Sequence, residues 1–383
     1  MKFLFLLLLI LCCWTGINSH AADSSDTIPL RLAHGLLVIP VQIDGQEHNF
    51  ILDTGMTRSM VGTHLLSEAD AQPDSLRTIA AAGRITHQPI FRFNNLQIGN
   101  RQIHPLDVMP LPLEGTVWQC LDAEGFIGND ALQGLMLTID TQAGHVILSK
   151  SRKQPKAMKE YAVPMKWGEY GVPYIEVQVG KLTMHETLFD TGSTSLFTPT
   201  EYSFRQLQTR FNPSEWGGKI TDATTGSETI ALGGAAPQDS LWRVEFPQWQ
   251  LGQTAFTGVS SVAGGQAPIS HIGAPLTRYG KIILDYPKEK FYFIPYGQGP
   301  VQVTPMHDFQ VQYADGRLFV GLVWPHSQAY AQGVRPGMRV TEANGQPLDD
   351  DFCRLIHLLD RKGRCILTLE GEGKSIQIDY YAD

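Results

Sequence analysis

Phe50-Ile51-Leu52-Asp53-Thr54-Gly55 is the stretch that decides how this chain folds: an apolar run ends there in a carboxylate, a hydroxyl and a glycine. The same order returns at Thr187-Leu188-Phe189-Asp190-Thr191-Gly192. One Asp-Thr-Gly is a weak signal, because these residue types are common in turns at strand ends. Two copies behind similar apolar runs say more. Each places an acid at the mouth of a buried strand, and a buried carboxylate is costly unless some task holds it there.

Outward from these copies the repeat lengthens. Phe126-Ile127-Gly128 is followed by Asp140 and then Val146-Ile147-Leu148, and His271-Ile272-Gly273 is followed at identical steps by Asp285 and Phe291-Tyr292-Phe293. Leu137 and Ile139 align with Ile282 and Leu284 in between. Upstream, Val41-Gln42-Ile43 and Val177-Gln178-Val179 precede their acids by nearly the same distance. The chain therefore reads as a duplication. Each half runs strand, hairpin, strand, Asp-Thr-Gly, further strands, aliphatic-Gly, short helix, strand, Asp, strand.

Short apolar segments broken by Gly, Pro, Asn and Asp make the chain predominantly β. Val38 to Ile43 followed by Asp44-Gly45 predicts a strand and a hairpin turn leading to the strand of Asp53. Short helices are expected at Gly62 to Ala69, Asp130 to Gln133 and Thr200 to Arg210. The basic, proline-interrupted stretch Lys150 to Lys159 reads as the crossover between halves.

Met1-Lys2, the apolar run Phe3 to Trp14 and the small residues ending at Ala22 describe a secretory signal peptide over 1–22, cleaved after Ala21 or Ala22. The expected destination is the periplasm or the extracellular space. Cys12 and Cys13 leave a lipoprotein anchor as the competing reading, against which stands Leu11, where a lipobox wants a small residue. Membrane association is expected only with that lipid. Few residues separate the cleavage point from the first strand, so no zymogen block is expected.

The remainder has ordinary globular composition, 43% hydrophobic and 18% charged overall, enough for two or three domains. A net charge of -8 spread along the chain argues against a nucleic-acid partner. Cys120, Cys353 and Cys365 are an odd set and make no disulfide framework, although Cys353 and Cys365 could pair within the C-terminal region. There is no Cys-x-x-Cys and no His pair at ligand spacing, so no metal or cofactor is expected. The 12 histidines are scattered and read as solvated or structural.

From about residue 30 to 297 the chain resembles aspartic proteases of the pepsin-like and retropepsin-like kind, in their two-lobed single-chain form. The resemblance rests on Asp53-Thr54-Gly55, Asp190-Thr191-Gly192, Ile127-Gly128 and Ile272-Gly273. It implies two β-barrel lobes, 29–150 and 160–297, related by a pseudo-twofold axis. Asp53 and Asp190 would be the catalytic dyad; Thr54 and Thr191 would lock the two loops across the axis, and Gly55 and Gly192 would let backbone amides approach the carboxylates. Such a pair suits hydrolysis of protein or peptide substrates. Two carboxylates in contact cannot both be charged, so one residue type supplies a base to activate water and an acid for the carbonyl oxygen. The alternative is a catalytically silent peptide-binding or scaffold protein on the same fold.

The copies differ after the glycine, where Met56 faces Ser193 in the alignment. Ser193 is expected to donate a hydrogen bond that favours ionised Asp190, leaving Asp53 as the protonated partner. The family's flap is expected at Ala80 to Pro89, which has Gly83 but no Tyr, and Lys219 to Thr229 is the matching segment of the second lobe.

After the linker Pro295 to Pro300 come a strand at Arg317 to Val323, then Ser327-Gln328-Ala329, Gly333-Val334, Gly337 and Asn344-Gly345, a helix at Asp350 to Asp360 and strands at Cys365 to Leu369 and Ser375 to Tyr380. Residues 303–383 resemble a PDZ domain of the bacterial protease-associated type, with Met338 in place of the customary Asp. The resemblance implies a peptide groove between an edge strand at Phe309-Gln310-Val311 and the helix Asp351 to Leu359. Met306-His307-Asp308 lacks the glycines of a carboxylate-binding turn, so a domain that only packs on the protease is the other reading. The fold class is thus mainly β: two pseudo-twofold-related β-barrel lobes followed by a small α+β PDZ domain.

Overall fold

Leu36–Ile43 and Gln46–Leu52 form the hairpin that carries the first acid, and Asp44-Gly45 turns it with positive φ at both residues, 51° and 79°. Aspartate and glycine tolerate that conformation, and it matches the twist of the flanking strands. The structure is a computed structural model that describes residues 25–382 apart from 80–84, 104, 115, 169–170, 211–212, 227–229, 232–233, 236–238, 265–268 and 360–362. The expected signal segment 1–22, with Cys12 and Cys13, lies outside the described residues.

The two halves repeat one strand arrangement around their acids. Phe50–Leu52 pairs in parallel with Gly125–Ile127, which pairs antiparallel with Met60–Val61. Leu188–Asp190 pairs in parallel with His271–Gly273, which pairs antiparallel with Phe197–Thr198. Gly128 and Gly273 end these strands with the same extended backbone, φ −92° and −95°, and each opens a short helical turn, Asn129–Leu132 and Ala274–Arg278.

An antiparallel pair joins the halves, with Leu137 opposite Leu284, Thr138 opposite Ile283 and Ile139 opposite Ile282. The offset that takes Gly128 to Gly273 takes Thr138 to Ile283, so this residue faces its own counterpart, as a local twofold through the pair requires. His145–Lys150 and Lys290–Pro295 extend the sheet on either side. Leu137, Ile139, Ile282 and Leu284 are fully buried in the seam. Each stabilises it by roughly 1.5–3 kcal/mol through removal of apolar surface from water.

The helical segments are shorter than expected. Gly62 to Ala69 is not one helix but two single 3-10 turns, Thr63–Leu65 and Glu68–Asp70, whose polar and charged residues offer no apolar stripe to bury. Glu201–Arg210 is helical as expected, and the crossover holds the 3-10 turn Lys156–Tyr161. Among the described residues no helix is long and apolar enough to cross a membrane.

Phe309 opens the C-terminal unit, a sheet ordered Phe309–Ala314, Arg317–Val323, Arg339–Ala343, Gly363–Gly371, Lys374–Ala382. The helix Phe352–Leu359 lies on it through Phe352, Leu355, Ile356 and Leu359, an i, i+3, i+4, i+7 stripe. Cys353 on this helix is disulfide-bonded to Cys120 of the first half. The pairing with Cys365 considered from sequence is therefore wrong. The 3-10 turn Val117–Leu121 packs on the helix and sets the two Cα atoms 4.6 Å apart, while Cys365 is buried elsewhere as a free thiol.

The unit also packs on the second half. Leu241 and Val262, from the small sheet of Lys219–Gly226, Asp239–Phe246 and Val259–Gly264, form one apolar cluster with Leu322 and Trp324. Buried Asp222 accepts from the His326 backbone N–H at 2.8 Å and pairs with its ring Nδ1 at 2.9 Å. A Cβ on Gly226 would meet the Gly321 carbonyl at 2.8 Å, so the backbones nearly touch. Lys219 to Thr229, the expected second flap, is thus a docked strand over 219–226, and 227–229 lie outside the described residues. Of the expected first flap, Ala80 to Pro89, residues 80–84 lie outside the described residues and the rest belongs to the strand Ile85–Phe93, which pairs with Ala71–Ile79, Ile79 opposite Ile85.

Candidate active site

Strand pairing brings both acids to one point. The Asp53 N–H donates to the Ile127 carbonyl at 2.9 Å, fixing the end of its strand against the parallel neighbour. The loops then interlock through their threonines. The Thr54 N–H donates to Thr191 Oγ1 at 3.0 Å and the Thr191 N–H to Thr54 Oγ1 at 3.1 Å. Thr54 Oγ1 in turn donates to the Phe189 carbonyl, and Thr191 Oγ1 to the Leu52 carbonyl, both at 2.6 Å. Both threonines have no exposed surface, so each buried hydroxyl is fully used as donor and acceptor.

The glycines matter for a different reason. Gly55 N–H donates to Asp53 Oδ1 at 2.8 Å and Gly192 N–H to Asp190 Oδ1 at 2.9 Å. A Cβ on Gly55 would overlap the Asp190 carboxylate, and one on Gly192 the Asp53 carboxylate. Only glycine allows each loop to sit against the opposite acid, which brings the two carboxyls close enough for the charge of Asp190 to act on Asp53.

Asp53 is buried, 7% exposed, while Asp190 is half-buried. Burial first, and the Asp190 charge second, hold the Asp53 carboxyl well above the usual carboxylate range; the Gly55 and Met56 amides pull the other way. The proton shared by such a pair at mildly acid pH therefore belongs on the Asp53 side. The cause is not the one expected from Ser193. Its Oγ accepts from the Ser195 N–H at 3.3 Å, and among the described residues it makes no hydrogen bond to Asp190. Met56 is half-buried and packs against the apolar cluster shared by the first half and the C-terminal unit.

Four residues behind the first loop have no role in the sequence reading. The Asn129 amide, fully buried, donates from Nδ2 to the Thr54 carbonyl at 2.7 Å and the Met56 carbonyl at 2.9 Å. Its Oδ1 accepts from the hydroxyl of Tyr286, a buried residue of the second half, at 3.0 Å. Asp130 accepts from Ser59 Oγ at 2.7 Å and the Ser59 N–H at 3.0 Å, and Ser59 Oγ accepts from the Gly128 N–H at 3.0 Å. The second half has Ala274-Pro275 at the matching positions, and that break in the repeat was the available signal.

Phe309, Gln310 and Val311 stand apart from this centre, on the edge strand of the C-terminal sheet. Phe309 is buried, Gln310 and Val311 are half-buried, and the register breaks between the last two. Tyr313 of that strand stacks on Phe352 of the helix, ring centroids 5.4 Å apart, and Gly234–Ala235 of the second half lies against the strand.

The family model described as aspartyl protease matches residues 39–131. That span holds the first Asp-Thr-Gly, Ile127-Gly128, Asn129 and Asp130. No curated protein matches the chain. The stretch 39–131 is therefore an aspartyl-protease-like domain.

Proposed function

We propose that the protein is an exported aspartic endopeptidase in two-lobed, single-chain form, with lobes at 29–150 and 160–297 and a PDZ-like domain at 303–383. The reciprocal threonine bonds carry this reading, because they hold two acids from different halves in contact with one of them biased toward its protonated form. A water bound between the carboxyls loses a proton to Asp190 as its oxygen adds to the peptide carbonyl, and Asp53 gives its proton to the carbonyl oxygen. In the collapse Asp53 takes a proton back from the diol, the C–N bond breaks and Asp190 protonates the leaving amine. The segment Ala80 to Pro89, between the paired strands Ala71–Ile79 and Ile85–Phe93, serves in this reading as the flap over the substrate.

The PDZ-like domain acts in this reading as a brace between the lobes. Its helix is covalently tied to the first, and its His326 and Leu322 are packed on the second. The disulfide also supports export, since such bonds persist in oxidising compartments.

The test is cleavage of a denatured protein between pH 4 and 7 beside Asp53→Asn: equal cleavage by the two, or none at any pH, sinks the proposal. Cys353→Ser separates the roles of the C-terminal domain. Loss on long but not short substrates favours peptide recruitment, and parallel loss on both favours the brace.

A further inference from the structure

Behind Asp53 a line of hydrogen bonds crosses the seam between the halves. The Tyr286 hydroxyl donates to Asn129 Oδ1 at 3.0 Å, and Asn129 Nδ2 donates to the Thr54 carbonyl at 2.7 Å. That carbonyl belongs to the same peptide unit as the Gly55 N–H, which donates to Asp53 Oδ1 at 2.8 Å. The direction of every bond is fixed. Carbonyls only accept, so Nδ2 faces Thr54 and Met56, and Oδ1 is left to accept from the tyrosine. The first two bonds are buried, with Asn129 at 0% and Tyr286 at 1% exposure, and the last, at Gly55, is part-buried; bonds in series polarise one another most where water is absent.

We infer that Tyr286 and Asn129 are positioning residues for Asp53: acting through the Thr54–Gly55 peptide, they aim and strengthen the amide that bonds its carboxylate and so set the pH at which the dyad gives up its last proton. This rests on the proposed catalytic role of Asp53. Among the described residues the second loop has no such line, and Ala274, with no side-chain amide, stands where Asn129 does in the first. The titratable groups whose charges bear on this arrangement are Asp190 across the axis and Tyr286 itself. Burial and the nearby Asp53 charge push the Tyr286 hydroxyl up, so it stays a neutral donor throughout the working range.

Tyr286→Phe removes only the hydroxyl and keeps the ring that stacks on Trp167. A matched control exists at the corresponding position of the first half, where Thr141 Oγ1 crosses the seam to the Thr277 carbonyl at 2.5 Å without reaching an Asp-Thr-Gly peptide. The measurement is the 13C carboxyl titration of the Asp53–Asp190 pair in full-length protein, with the basic limb of the cleavage profile recorded in parallel. Tyr286→Phe is expected to raise the upper dyad pKa and move that limb up by roughly half a pH unit, as loss of support for a charged carboxylate does. Thr141→Val is expected to lower thermal stability and leave the titration in place. A Tyr286→Phe titration that coincides with wild type, or a Thr141→Val titration that shifts equally, overturns the inference. A shifted titration in a protein that cleaves nothing supports it and refutes the protease reading instead.

Discussion

Asp53 and Asp190 stand on loops whose forward contacts match bond for bond: amide to carboxylate at 2.8 and 2.9 Å, threonine to threonine at 3.0 and 3.1 Å, hydroxyl to carbonyl at 2.6 Å in both. Behind them the halves part. Both loops keep one backbone tie, Asn129 N–H to the Met56 carbonyl and Ala274 N–H to the Ser193 carbonyl, each at 2.9 Å, but the first adds the side chains of Asn129, Ser59 and Asp130, and where Gly128 N–H donates to Ser59 Oγ, Gly273 N–H donates to the Ser195 and Leu196 carbonyls at 3.0 and 3.2 Å. Contacts on the axis are constrained by both halves at once, so a change on one side must be answered on the other. Contacts off the axis are free to diverge, and there the two acids acquire unequal surroundings.

The largest expected effect tests the matched side. Asp53→Asn and Asp190→Asn should each lower kcat/KM on a denatured protein by about a thousandfold or more, the scale of lost acid–base catalysis. A large difference between the two would break the functional equivalence of the loops. Next in size is the covalent tie, which only the first half has. Cys120 and Cys353 are 233 residues apart, and Cys353→Ser should cost about 2–5 kcal/mol in urea unfolding through the freedom returned to the unfolded chain. Gly55→Ala and Gly192→Ala each drive a Cβ into the opposite carboxylate, so each should cost about 1–3 kcal/mol, and equally.

The unequal surroundings have their own signature in stability. The folded Asp53 pKa is raised, so below the unfolded value both states hold the proton and nothing is lost. As pH climbs above about 4 the unfolded chain ionises while the folded one does not, and folding loses stability until the folded value is passed. Asp53→Asn should therefore raise Tm relative to wild type more at pH 7 than at pH 4, and an equal change at both would remove Asp53 as the strained member. The smallest effect is expected from Ser193→Ala. Its hydroxyl serves Ser195, so the cleavage pH profile should stay in place.

Much of this was legible locally. The apolar runs before each acid, the equal steps from Gly128 to Asp140 and from Gly273 to Asp285, and the Asp44-Gly45 turn are patterns of near neighbours. The seam strands were marked by the repeat but their register was not: Leu137 aligns with Ile282 and Ile139 with Leu284, whereas across the local twofold Leu137 faces Leu284 and Ile139 faces Ile282. Ser193 misled: donation to the adjacent acid was plausible from chemistry alone, but the loop turns its hydroxyl to an amide two residues on.

The sequence by itself determined the strand ends, the two acids and the glycines beside them, because the alternation of apolar runs and turn residues acts over a few residues. Only the tertiary structure decided which acid is the more buried, that Tyr286 reaches Asn129, that Cys353 meets Cys120, and that the strand Lys219–Gly226 docks on the C-terminal unit. These contacts join residues far apart in the chain, where spacing carries no distance information and the approach is set by how whole sheets pack.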